Sequence, residues 1–156
     1  MIKGMIECGW APITENVMLD LSAVDFVSEV IFKLSEYVTG GNYFVFDINN
    51  PPKSKALLPF DQLVDWLIEL DYEIKKVSYE EWKLKLDDIS SSNPLYPLKH
   101  LFLQAKTFPN PAPYDCSKTF EVLTKKCSFN NLPPPFTKKL LAASLSHLGL
   151  ASKNSQ

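Results

Sequence analysis

The most strand-like segment of the chain is GGNYFVFDINNP, residues 40–51. Tyr43, Phe44, Val45, Phe46 and Ile48 are almost continuously apolar, with a glycine pair before them and an Asn-Asn-Pro stop after them. An apolar run of this length between turn signals reads as a strand covered on both faces, the pattern of a parallel sheet. Just upstream, LSAVDFVSEVIFKLSEYV predicts a helix over 22–38, with Ser22 as N-cap and Asp25 as a capping-box partner. Val24, Val27, Ile31, Leu34 and Val38 form one apolar stripe and Phe26, Val30 and Tyr37 a second, so this helix is expected to be covered on more than one side. A helix leading into a buried strand is half of a crossover unit, and it calls for parallel neighbours.

Those neighbours are scarce. Residues 1–9 predict a short helix ending at Gly9, with Pro12 as a stop. Downstream, Phe60 to Leu70 predicts a helix with Phe60, Leu63, Val64, Leu67 and Leu70 inward. YEIKKV (72–77) alternates as a weak strand, and Ser78 and Glu81 open a helix that carries Trp82, Leu86 and Ile89. Further helices are predicted around Leu98–Ala105, over 118–125, and from the Thr137 cap to a stop at Gly149, with Leu140, Leu141, Leu145 and Leu148 on the apolar side. The count is about six helices and one or two strands. A central strand without partners leaves backbone N–H and C=O groups unpaired, so the sequence points to missing sheet on the N-terminal side.

Composition narrows the function. The chain has 156 residues, 46% hydrophobic, with 16 basic side chains, all lysine, against 18 acidic ones. There is no basic surplus for a nucleic-acid backbone and no guanidinium to clamp phosphate or carboxylate. Cys8, Cys116 and Cys127 are too dispersed for a metal ladder, so no metal is expected and the thiols read as free. No apolar run is long enough to span a membrane and no signal peptide is evident, which makes cytoplasm the default compartment.

Phosphate-loop, zinc-protease and serine-hydrolase motifs are all missing, and GGNYF precedes its strand where a phosphate loop would follow one. His100 and His147 fall inside predicted helices without a partner at useful spacing, and the acidic pairs at 71–73, 79–81 and 87–88 read as solvated helix ends. Asp47, late in the strand, is placed where ligands of open α/β sheets bind.

Taken in order, MIKGMIECGWAP, LDLSAVDFVSEVIFKLS, NYFVFDINNP, VSYEEWKLKL, PLYPLKHLF and NLPPPFTKKLLAASLSHLGL resemble the C-terminal portion of thioester reductase domains, members of the extended short-chain dehydrogenase/reductase family. Such domains end polyketide synthases, nonribosomal peptide synthetases and carboxylic acid reductases. The resemblance covers residues 1–150 and leaves 151–156 as a disordered tail. It implies a mostly helical α/β fold, with a late parallel strand of a Rossmann-like nucleotide-binding sheet and a helical substrate subdomain. It also implies part of an NADPH-dependent reductase that releases a carrier-bound acyl thioester as aldehyde or alcohol. Val24, Asp25 and Phe26 match the family's helix-start motif.

The family's glycine-rich loop and its Tyr-x-x-x-Lys pair are not in this chain. Tyr72 and Lys76 have that spacing but are read on a strand, and Asp71 stands where relatives commonly have glycine. No catalytic residue is therefore assigned, and the chain alone is expected neither to bind NADPH nor to turn over. Ile6, Trp10 and Pro12 are the candidate walls of the acyl pocket. The implied partners are an upstream nucleotide-binding half and a phosphopantetheine-bearing carrier protein, with no nucleic acid and no membrane. The alternative is a small helical module that binds a carrier or partner protein through Leu98, Leu101, Phe102 and the last helix.

Overall fold

A computed structural model describes residues 1–38, 44–50, 57–109 and 115–150. The fold is mixed α/β and mostly helical, with a small parallel sheet, as the sequence implies. The chain divides into two compact units, the first made of 1–18, 59–111 and 137–156, the second of 19–58 and 112–136.

In the first unit, α1 (Ile2–Cys8) ends at Gly9, whose φ of 73° is the left-handed cap conformation glycine adopts without strain. Strand β1 (Trp10–Pro12) follows and pairs in parallel with β4 (Lys75–Val77), Trp10 opposite Lys75 and Pro12 opposite Val77. Between them lies α3 (Phe60–Glu69), whose Phe60, Leu63, Val64 and Leu67 are fully buried. The α3 end is a Schellman turn: Tyr72 N–H donates to Leu67 C=O at 3.1 Å and Asp71 N–H to Ile68 C=O at 3.0 Å. Asp71 has φ 64°, the left-handed conformation, at the position where the resemblance supplies a glycine. In α4 (Tyr79–Asp87), Ser78 caps by accepting from Glu81 N–H at 3.2 Å, and Trp82 and Leu86 are buried.

A short 3-10 turn at Tyr96–Leu98 runs into α5 (Lys99–Gln104), and the last helix of this unit, α7 (Lys138–His147), has the expected Thr137 cap. The α7 end repeats the Schellman pattern at Gly149. Phe60, Tyr79, Trp82, Phe102 and Phe108 form one aromatic cluster, with Phe60–Phe108 ring centroids 4.8 Å apart and Trp82–Phe102 edge-on at 5.1 Å.

In the second unit, β2 (Met18–Asp20) pairs with β3 (Leu57–Pro59), and α2 (Val24–Tyr37) packs on α6 (Ser117–Lys126). Their core is Phe26, Val30, Leu34, Leu123 and Phe129.

Two expectations are corrected here. First, the apolar stripe Val24, Val27, Ile31, Leu34 and Val38 is only partly covered: Leu34 is in the core and Val27 and Val38 are half-buried. Val24 is 79% exposed and Ile31 54%, because within this unit α2 is covered on a single side. The helix starts from Ala23 rather than Ser22, and the Ser22 hydroxyl donates instead to Asp20 Oδ1 at 3.2 Å. Second, Phe44 to Asn50 are not in a strand. Among the described residues no backbone hydrogen bond pairs them with a strand. Tyr43, Gly40, Gly41 and Pro51 of the same segment, and the tail 151–156, lie outside the described residues.

Candidate functional site

Parallel pairing of β1 and β4 brings their carboxyl ends to the same edge, the position where parallel strands characteristically present ligands. Pro12 is followed by the loop 13–17 and Val77 by the start of α4, so the register alone places Ile13 to Val17 beside Ser78 to Glu80. There the first unit carries a cleft of about 680 Å³, closed on its third side by Lys106, Thr107 and Phe108.

The cleft's frame is fixed by named bonds. Asp61, in the first turn of α3, accepts from Thr14 N–H at 3.2 Å and from the Thr14 hydroxyl at 3.0 Å, anchoring the loop. Phe60 N–H donates to Val17 C=O at 2.9 Å. Tyr79 donates its hydroxyl to Phe102 C=O at 2.8 Å, and its ring meets Phe108 edge-on at 6.0 Å. Burial, and secondarily the Glu80 charge, push the Tyr79 phenol above its ordinary pKa. Its hydroxyl is committed as donor to the Phe102 carbonyl. The result is an aromatic floor with a polar rim. It can hold an apolar chain, with Glu15, Glu80 and Lys106 among the polar residues of its lining.

A smaller cavity of about 360 Å³ is lined by Cys8, Trp10, Lys85, Asp88 and Asn93, among others. The Lys85 and Lys75 ammonium groups lie 4.7 and 5.3 Å from the Trp10 ring centroid. Burial raises the Cys8 thiol pKa, which keeps it protonated and unreactive near neutrality. In the second unit, burial raises the Cys116 thiol as well, and the Asp115, Asp20 and Asp47 carboxylates add to the effect.

Of the sequence-assigned wall residues, Trp10 lines the smaller cavity, Ile6 is half-buried on α1, and Pro12 is buried directly behind the larger cleft's loop. Ile13, Tyr79 and Phe108 line the larger cleft without having been singled out by the sequence reading. Val24 and Asp25 are exposed at the α2 start and Phe26 is in the core. Asp25 accepts from Phe26 N–H at 2.9 Å and so serves the helix start.

Tyr72 and Lys76 have separate structural partners, the Leu150 carbonyl and the Asp65 carboxylate. His100 and His147 are exposed. No group of three or more potential metal ligands exists among the described residues. A dinucleotide pyrophosphate needs a glycine loop feeding a helix N-terminus. The described glycines instead lie inside α1 or cap helix ends, so these residues do not form a cradle for NADPH. No helix among the described residues is long and apolar enough to cross a membrane.

No protein-family model matches the sequence, and no curated protein does. Solved structures do match. The terminal R domain of the myxalamid PKS-NRPS pathway superposes with a TM-score of 0.69 at 25% identity, over 95% of this chain and 37% of that one. The reductase (R) domain of a nonribosomal peptide synthetase from Mycobacterium tuberculosis matches at TM-score 0.69 and 18% identity, over 96% of this chain and 40% of its own. A thiolation-reductase di-domain from an archaeal nonribosomal peptide synthetase matches at 0.64 and 20%, over 95% and 29%. The chain thus spans well under half the length of each structure that it matches.

Proposed function

We propose that this chain, which is homologous along nearly its whole length to the terminal reductase domains of polyketide and nonribosomal peptide assembly lines, works as the C-terminal portion of such a reductase. In this reading the complete domain takes hydride from NADPH and releases a carrier-bound acyl thioester as aldehyde or alcohol. The cofactor cradle and the catalytic hydroxyl and lysine belong to the upstream nucleotide-binding half. This chain supplies the wall along which the acyl chain lies. The segment that begins at Ile6, Trp10 and Pro12 and continues into Ile13–Val17 forms that wall, with Tyr79 and Phe108 as its floor.

The observation that carries the reading is the superposition on the myxalamid R domain at 95% coverage of this chain. The cleft at the carboxyl edge of β1 and β4 supplies the matching surface. The physical demand on such a wall is modest. It must bury apolar atoms at about 25 cal/mol per Å² while leaving the chemistry to preorganised donors elsewhere.

Consumption of NADPH with acyl-phosphopantetheine thioesters tests this. The chain alone is expected to be inactive and to show no saturable NADPH binding. Combined with a nucleotide-binding half, it should reduce the thioester. In that assembly Ile13→Trp, at an exposed position of the cleft, should raise KM for a long acyl chain about tenfold while leaving kcat for a short one nearly unchanged. Micromolar NADPH binding by the chain alone, or equal losses for both substrates, would reject the assignment.

A further inference from the structure

Trp10 and Lys75 are the first residues of β1 and β4 and stand opposite each other in the parallel register. They lie at the amino edge of that sheet, the end away from the larger cleft. From this cross-strand position the Lys75 ammonium meets the half-buried Trp10 ring, and Lys85, in the last turn of α4, brings a second ammonium to the same ring. Neighbouring lysines are neutralised, Lys76 by Asp65 and Lys83 by Glu80, both at 2.8 Å. Lys75 and Lys85 have no carboxylate within ion-pair distance among the described residues. The ring attracts each ammonium, but two like charges this close repel each other, and an anion beside them relieves the repulsion. The adjoining cavity of about 360 Å³ supplies further donors. The Trp10 indole N–H makes no hydrogen bond among the described residues. The Ser90 and Ser92 hydroxyls, also in the lining, are 2.9 Å apart, so one donates to the other and the second keeps its proton for a ligand. Glu7 and Asp88 are the opposing carboxylates of the lining, and Glu7 already has Lys3 at 3.7 Å.

We infer that this cavity is an anion site, which takes the phosphate group of a small phosphorylated molecule. Lys85, the Trp10 N–H and the Ser90–Ser92 turn are the donors, and Lys75 adds its charge at the ring. Lysine binds phosphate as a point charge, so the lack of arginine is no obstacle. The volume is in the range of small-molecule sites and leaves room beyond a bare phosphate, where Ile89 and the Trp10 ring offer apolar surface to an organic group. Every group named belongs to the first unit, so the site stands whether or not the chain works as part of a reductase.

Nuclear magnetic resonance on the isotope-labelled full chain tests it, with inorganic phosphate and phenyl phosphate as probes. The Trp10 indole N–H signal is assigned by its loss in Trp10→Phe. Both probes should shift that signal saturably, phenyl phosphate at the lower concentration. Lys85→Met should weaken phenyl phosphate binding at least about tenfold, the effect of losing one charged hydrogen bond. Lys75→Met should weaken it less, and Lys85→Arg should bind as wild type does. Both lysines are exposed, so these variants should keep the wild-type unfolding midpoint. Asp88→Asn, which removes an opposing charge and leaves both lysines in place, should tighten binding, and Lys139→Met, on α7, should not change it. No saturable shift with either probe, equal binding by wild type and Lys85→Met, or unchanged affinity in Asp88→Asn overturns the site. Phenyl phosphate that binds no more tightly than inorganic phosphate removes the organic group and overturns the assignment. Displacement of phenyl phosphate by oligoglutamate at a lower concentration makes an acidic protein segment the occupant and overturns it too.

Discussion

Gly4 sits inside α1, where helix propensity alone would favour alanine by up to about 1 kcal/mol. Packing opposes propensity there. A Cβ on Gly4 would lie 2.5 Å from Leu95 Cγ and 2.8 Å from Asn93 Oδ1. Asn93 is itself committed, donating Nδ2 to the Gly4 carbonyl at 3.1 Å and accepting from Leu95 N–H at 2.8 Å. Leu95 is fully buried and cannot step aside cheaply. Gly4→Ala should therefore lower stability by a net of about 1–3 kcal/mol in urea unfolding, the usual range for overpacking. An unchanged or raised midpoint would show that the 93–95 turn yields. Nothing in the sequence flags this contact, because it joins residues 89 positions apart. Asp71 is the opposite case. It ends a helix at a point where the resemblance supplies a glycine, and its left-handed conformation is the one that a glycine there adopts without strain.

At the scale of elements, the long periodic helices and the strand within 72–77 were legible, and the other three-residue strands were not. Periodicity needs several repeats to register, and β1, β2 and β3 offer one each, two of them containing proline. Caps were legible where the side chain had no competing task, as at Ser78 and Thr137. At Ser22 the competing task is Asp20, whose carboxylate holds Asn50 and draws the serine hydroxyl away from the helix. Cover on more than one side of α2 was expected because both faces are apolar, yet Val24 and Ile31 are exposed, since an apolar face does not by itself say that a neighbour covers it. That asymmetry makes a prediction. Val30 is fully buried against the α6 core, so Val30→Ala should cost about 2 kcal/mol in the isolated chain. Ile31, the larger residue on the same helix, should cost under about 0.5 kcal/mol when changed to alanine. Equal losses in paired denaturation curves would mean that the exposed face is covered in solution.

At the scale of the molecule, none of the wall residues taken from the sequence lines the larger cleft. The sequence places a wall near Trp10 and Pro12, but Tyr79 and Phe108 join the larger cleft only because a parallel register carries residue 13 alongside residue 78. Pairing between elements more than sixty positions apart leaves no trace in a single sequence. The two units also differ in how much of their surface is accounted for. The first has an aromatic cluster and buried faces on α3, α4 and α7. The second has a five-residue core and an α2 face on which Val24, Ile31 and Phe32 are exposed. A partner that binds the folded chain stabilises it by mass action, by about 2.7 kcal/mol when its free concentration is a hundredfold above Kd. If the remaining reductase half binds as proposed, titrating it in should raise the unfolding midpoint and concentrate new exchange protection in 19–58, with little change in α3 and α4. The asymmetry follows from where apolar surface is exposed, since a partner docked on the α2 face, with Val24, Ile31 and Phe32 exposed, suppresses local opening there most. A rise in protection confined to the first unit would instead place the reductase contact at the cleft edge and leave the α2 face to another use.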